Sequence, residues 1–153
     1  QSEGSALIAE LPGFLADVAA LSKVQWRGDV ALLPRGALCG DAWDTLAAHG
    51  AGLWEAVRVA LGARMLARQQ EIRVDDGVRG AAVEVLAGSG DGWVVVPGPR
   101  GVHYTFDVTR CMFSEGNAAE KARVAEWPVR GETVLDLYAG VGFWTLPMLA
   151  AGA

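Results

Sequence analysis

The 153-residue chain is 52% hydrophobic and 20% charged with a mean hydropathy of +0.24, which excludes disorder and gives enough apolar side chain for a core. Its 13 basic and 18 acidic residues leave a net charge of −5, against the basic surface usual in proteins that live on phosphate backbones. Every run of about 18 residues contains a charge or a glycine, the two cysteines cannot form a disulfide framework and no secretory leader is recognisable, so a soluble, cytoplasmic chain with no membrane contact is expected.

Residues 5–22 carry apolar residues at near-helical spacing, interrupted by Pro12-Gly13, and predict a broken helix or two short ones. Asp29 to Pro34 predicts a short buried strand ended by proline. Asp41 is an N-cap candidate for a helix over Ala42–Ala48. After a glycine break, Leu53, Trp54, Val57, Ala60 and Leu61 trace one apolar helix face. Arg58, Arg64, Arg68, Arg73 and Arg79 follow against three acids, a local charge of +2 after a local −4 over residues 1–57. This run reads either as a solvated helix face or as a phosphate-contacting stripe. Strands over Ala81–Leu86, Trp93–Val96 and Val102–Val108, separated by Gly- and Pro-rich turns, predict an antiparallel meander. Asn117–Trp127 predicts a helix ended by Pro128. Thr133–Tyr138 then predicts a hydrophobic strand, Ala139–Gly142 a glycine turn and Phe143–Ala151 an apolar helix. Strand, glycine turn and helix together form the opening unit of a doubly wound sheet. The expected fold is therefore α/β: an α+β domain over residues 1–108, then the start of a Rossmann-like domain over 109–153.

The glycine turn is the most informative segment. A turn of this kind lets a ligand approach the backbone closely. A dinucleotide site wants G-x-G-x-x-G, whereas Thr145 stands at the third glycine position. Asp136 at the strand end is unfavourable for a diphosphate and favourable for the cationic methionine end of S-adenosylmethionine. The electrostatics favour the sulfonium donor, with a dinucleotide site and an ordinary βα turn as rivals. His49, His103, Cys39 and Cys111 lack a C-x-x-C or comparable spacing, and no metal is expected. Trp26, Trp43, Trp54 and Trp93 read as core or interface fillers before base-stacking platforms. Phe143 and Trp144 divide between flanking a ligand and core packing.

The block Phe106-Asp107-Val108-Thr109-Arg110-Cys111-Met112-Phe113-Ser114-Glu115-Gly116-Asn117, with Glu120 and Lys121 after it and Val134 to Phe143 beyond, resembles the tRNA wybutosine-synthesis aminocarboxypropyltransferases. These are relatives of the tRNA guanosine-37 N1-methyltransferases. Weaker similarity lies upstream at Leu32-Leu33-Pro34, Arg64–Arg68 and Arg79–Gly88. The resemblance implies transfer of the 3-amino-3-carboxypropyl group of S-adenosylmethionine to 4-demethylwyosine at position 37 of phenylalanine tRNA, without a metal. It implies that Ser114, Lys121, Asp136, Tyr138, Gly140 and Gly142 contact the donor, and it makes Arg64, Arg68 and Arg79 candidate tRNA contacts. The bland alternatives are a helix cap for Ser114 and a surface ion pair for Lys121. The alternatives for the whole are the N1-methyltransferase and a non-catalytic tRNA-docking module.

Gln1 in place of Met, and the ending Ala150-Ala151-Gly152-Ala153 just after an apolar run, read as cut ends. An acid for the ribose hydroxyls, expected roughly 20 residues past the glycine turn, would lie beyond Ala153. This chain alone is therefore expected to bind the donor weakly or not at all, with strand 133–138 lacking sheet partners.

Overall fold

A computed structural model of the protein describes residues 20–49, 52–71, 81–114 and 116–153. The broken helix expected over 5–22 falls almost wholly outside these residues; a short 3₁₀ turn, Ala20–Lys23, opens the described chain. Strands β1 (Gln25–Arg27), β2 (Val30–Leu33), β3 (Met65–Gln69) and β4 (Val83–Gly88) form one sheet in that order. β2 and β3 are parallel, whereas β1–β2 and β3–β4 are antiparallel. Helices α1 (Asp41–His49) and α2 (Leu53–Leu61) fill the β2–β3 connection, as a parallel pair requires a long crossover. Strands β5 (Trp93–Pro97) and β6 (His103–Asp107) make a separate antiparallel pair.

Three layers result. Ala31, Leu33 and Leu66 face α1 and α2, packing with Trp43, Leu46, Trp54 and Val57. Val30 and Met65 point the other way, onto Val94, Tyr104 and Phe106 of the small sheet. Cover on both faces explains why every residue of β2 is buried and why it reads as a continuous apolar run. Helices α3 (Ala118–Ala125) and α4 (Thr145–Ala151) pack on each other through Val124 and Met148, joined by Val129 of the loop between them. Among the described residues no helix is long and apolar enough to cross a membrane.

Several expectations need correction. Residues 83–107 are not a meander: β4 pairs back onto β3, and only β5 and β6 form a hairpin. The arginine run is not one helix face. Arg58 lies on α2, Arg68 is inside β3 and Arg64 just precedes it. Trp43 is buried and stacks on Trp54 at 6.3 Å, but Trp26 and Trp93 are exposed and fill no core. Residues 133–138 form no strand and belong to neither sheet, and Leu137-Tyr138 already turn. Leu135 and Leu137 stand 80% and 73% exposed there, because a strand is completed only by a ladder partner.

Candidate functional site

The glycine loop is closed from both ends by Asp136. One carboxylate oxygen accepts the Thr145 hydroxyl at 2.7 Å, and the other accepts the Tyr138 backbone N–H at 3.3 Å. The side chain thus ties the turn at Tyr138 to the start of α4 and leaves a carboxylate beside the loop. Between these ties Gly140 and Gly142 adopt φ of +56° and +83°, a region that side chains disfavour. A Cβ on Gly142 would also approach Leu146 to 3.1 Å. The Gly142 N–H donates to Ala139 O at 2.8 Å, and the Leu146 N–H donates to Gly142 O at 3.1 Å. Tyr138 is 94% exposed, its ring standing clear of the loop.

Lys121 joins this loop from α3. Its ammonium donates to the Ser114 carbonyl at 2.6 Å and lies 3.7 Å from the centroid of the Phe143 ring, next in sequence to Gly142. The structure therefore gathers Ser114, Lys121 and the loop's C-terminal end, with Ser114 contributing its backbone oxygen. Beneath the ammonium is an aromatic cluster. Phe143 contacts Tyr104 at 5.3 Å and Phe113 at 5.0 Å, and Phe113 stacks on Phe106 at 4.6 Å. The Tyr104 hydroxyl points at the Phe143 carbonyl, 3.4 Å away, and burial pushes the Tyr104 phenol above its ordinary pKa. A cleft of about 330 Å³ opens beside Lys121, Tyr104 and Phe113. Lys121 thus brings a cation to the end of the loop and Asp136 a carboxylate to its start, and the two line separate clefts.

The candidate phosphate contacts behave differently. Arg64 donates to Asp29 at 2.8 Å and to the carbonyls of Asp91 and Trp93 at 2.9 and 2.8 Å. The hydrogen bond from Arg64 holds the Asp29 carboxyl below its ordinary value. Arg68 is 8% exposed and donates to the carbonyls of Ala37 and Leu38 and to Glu84. Both guanidinium groups hydrogen-bond within the fold, Arg68 buried and Arg64 with its side chain 30% exposed. Arg79 lies outside the described residues.

Residues 96–153 match the model of the TRM5/TYW2 methyltransferase domain. Over 130 residues the chain is 45% identical to the human tRNA wybutosine-synthesizing protein 2 homolog. The segment 96–153 is similar to the TRM5/TYW2 methyltransferase domain. The human alignment covers 84% of this chain and 28% of the relative, so the chain spans little more than a quarter of that relative's length. A rice tRNA wybutosine-synthesizing protein 2/3/4 is 39% identical over 80% of this chain and 11% of its own length. Among solved structures, Pyrococcus horikoshii TYW2 in complex with MeSAdo superposes with a TM-score of 0.62 at 31% identity, covering 97% of this chain and 48% of that one. The Methanocaldococcus jannaschii tRNA m1G37 methyltransferase, at 18% identity and a TM-score of 0.59 over 94% of this chain and 40% of that one, shares the fold.

Within this TRM5/TYW2 segment, sequence reasoning missed Tyr104 and Phe113 as supports of the loop. Phe143 and Trp144, left undivided by their spacing, separate: Phe143 joins the cluster under Lys121, and Trp144 packs toward Val124, Val129 and Met148. The signal for Tyr104 was present in the alternation of β6, whose Tyr104 and Phe106 share one buried face.

Proposed function

We propose that the protein carrying this chain transfers the 3-amino-3-carboxypropyl group of S-adenosylmethionine to 4-demethylwyosine at position 37 of phenylalanine tRNA. The observation that carries this reading is the Lys121 ammonium held 3.7 Å from the Phe143 ring, at the end of a glycine loop that Asp136 closes through Thr145. The wybutosine-synthesis names of relatives at about 45% identity support it. In this reading residues 1–108 form one unit and 109–153 begin the donor-binding one.

The residues fit the donor. Lys121 would hold its carboxylate, Asp136 would face its cationic end, and Ser114, Tyr138, Gly140 and Gly142 would line the rest. When bound, the sulfonium supplies an activated methylene carbon, so that attack by a nucleophilic base carbon breaks the carbon–sulfur bond and leaves methylthioadenosine. The chain's own contribution is orientation. The sulfonium activates its methyl group as well, and holding the carboxylate end decides which carbon faces the acceptor. No metal enters this reading. The acceptor is proposed as the anticodon loop of tRNA, with Arg64 and Arg79 as candidate contacts and Arg68 the least accessible of the three.

The test is mass spectrometry of nucleosides from the precursor tRNA after incubation with the whole protein and S-adenosylmethionine. The expected product carries the aminocarboxypropyl side chain. A methylated guanosine would replace this reading with the N1-methyltransferase, and tRNA binding without any modification would favour the docking module.

A further inference from the structure

Phe143 is held from several sides in a way a generic helix-start residue is not. Tyr104 of β6 meets its ring edge-on at 5.3 Å and 65°, and Phe113 meets it at 5.0 Å and 60°. With those two rings fixing one side, Phe143 offers a face to Lys121, whose ammonium sits 3.7 Å from the ring centroid. The Ser114 carbonyl, 2.6 Å from the same ammonium, supplies a second attractive wall. A lysine has a flexible four-carbon stem and a point charge that on an open helix samples many rotamers. Here the charge is confined beside the glycine loop by an aromatic quadrupole.

We propose that Phe143 is a positioning residue that sets the Lys121 ammonium where a donor carboxylate meets it, and so determines preference for a carboxylate-bearing donor. This inference rests on the assignment of Lys121 to the donor carboxylate. It goes beyond that assignment by making the cation's placement depend on a ring that need not touch the donor's carboxylate. Tyr104 and Phe113 act one step further back, by holding the ring.

The experiment is calorimetric binding of S-adenosylmethionine and of its decarboxylated analogue, which keeps the sulfonium and the amine, to the whole protein. In Phe143→Leu the apolar bulk stays and the π face goes. The expected result is a loss of about fivefold in affinity for S-adenosylmethionine, the scale of one cation–π contact, with affinity for the decarboxylated analogue changed by less than about twofold. Phe143→Tyr, which keeps the face, retains the preference, and Lys121→Met abolishes it. If F143L is too unstable to assay, the unbranched Phe143→Met takes its place with the same expectation. Equal weakening of both compounds by F143L would show a merely structural role and overturn the inference, as would no change in either. Should K121M keep the full preference, the assignment of Lys121 itself fails. Loss of the preference in K121M but not in F143L would overturn the role of Phe143 alone.

Discussion

Replacing Arg68 by alanine separates a fold-supporting arginine from a nucleic-acid contact. Its guanidinium donates to Leu38 O at 2.8 Å and Ala37 O at 3.2 Å, and to one oxygen of Glu84 at 3.2 and 2.8 Å. Ala37 and Leu38 are themselves buried, and Leu38 is held at a φ of +52°. Alanine leaves two carbonyls in that turn without their donor, at about 1–3 kcal/mol for each group left unsatisfied. The Glu84 side chain is 41% exposed, so water takes over its solvation and the lost ion pair adds less than about 1 kcal/mol. Allowing that water also reaches one carbonyl, R68A should destabilise by about 3 kcal/mol. With a urea slope of about 1.5 kcal/mol/M for a chain this small, the midpoint falls by about 2 M. Tryptophan fluorescence is a suitable readout, since Trp54 lies under the guanidinium at 5.9 Å and stacks on Trp43. A midpoint shift below about 0.5 M, or a loss of tRNA affinity at unchanged stability, would refute the buried role.

Three further outcomes are expected. The Arg64 hydrogen bond lowers the folded-state pKa of Asp29 below 3.8, so its stabilisation is complete above the unfolded value and disappears as pH falls through the lowered one. The gap in melting temperature between the native protein and Asp29→Asn should therefore close between about pH 5 and pH 2, and, with half the carboxylate exposed, it should correspond to less than about 1 kcal/mol; a gap independent of pH contradicts this. In Gly98→Ala the new methyl would collide with the Tyr104 ring, costing about 1–3 kcal/mol as overpacking does, and an unaltered thermal melt would show that Tyr104 moves aside freely. Thr145→Val removes the hydroxyl that Asp136 accepts at 2.7 Å; amide exchange over residues 138–142 should accelerate by about tenfold, equivalent to the roughly 1.4 kcal/mol of one such bond, and unchanged exchange would show that Asp136 does not close the loop.

What the sequence made legible was what local pattern controls. β2 is an apolar run between Asp29 and Pro34, and α2 follows the spacing of Leu53, Trp54, Val57 and Leu61. β3 was hidden because Met65-Leu66-Ala67-Arg68-Gln69 contains a charge whose burial depends on Glu84 and on the turn at Ala37–Leu38, all distant in sequence. Without a legible β3, local pattern pairs β4 with the next strand along the chain instead of with its true partner. The glycine loop was readable from Asp136, Gly140 and Gly142, and the residue types at Ser114 and Lys121 from the family resemblance. The contact of Lys121 with Phe143 is not readable, because it joins α3 to the turn before α4 through packing on Tyr104 and Phe113.

The most direct test of the central claim is a dual-label transfer with S-adenosylmethionine carrying one isotope in its methyl group and another in its carboxyl carbon. Incubated with the whole protein and precursor tRNA, it should deliver the carboxyl label to tRNA and leave the methyl label in methylthioadenosine. Methyl label on the tRNA, with the carboxyl label remaining in the nucleoside by-product, would contradict the claim.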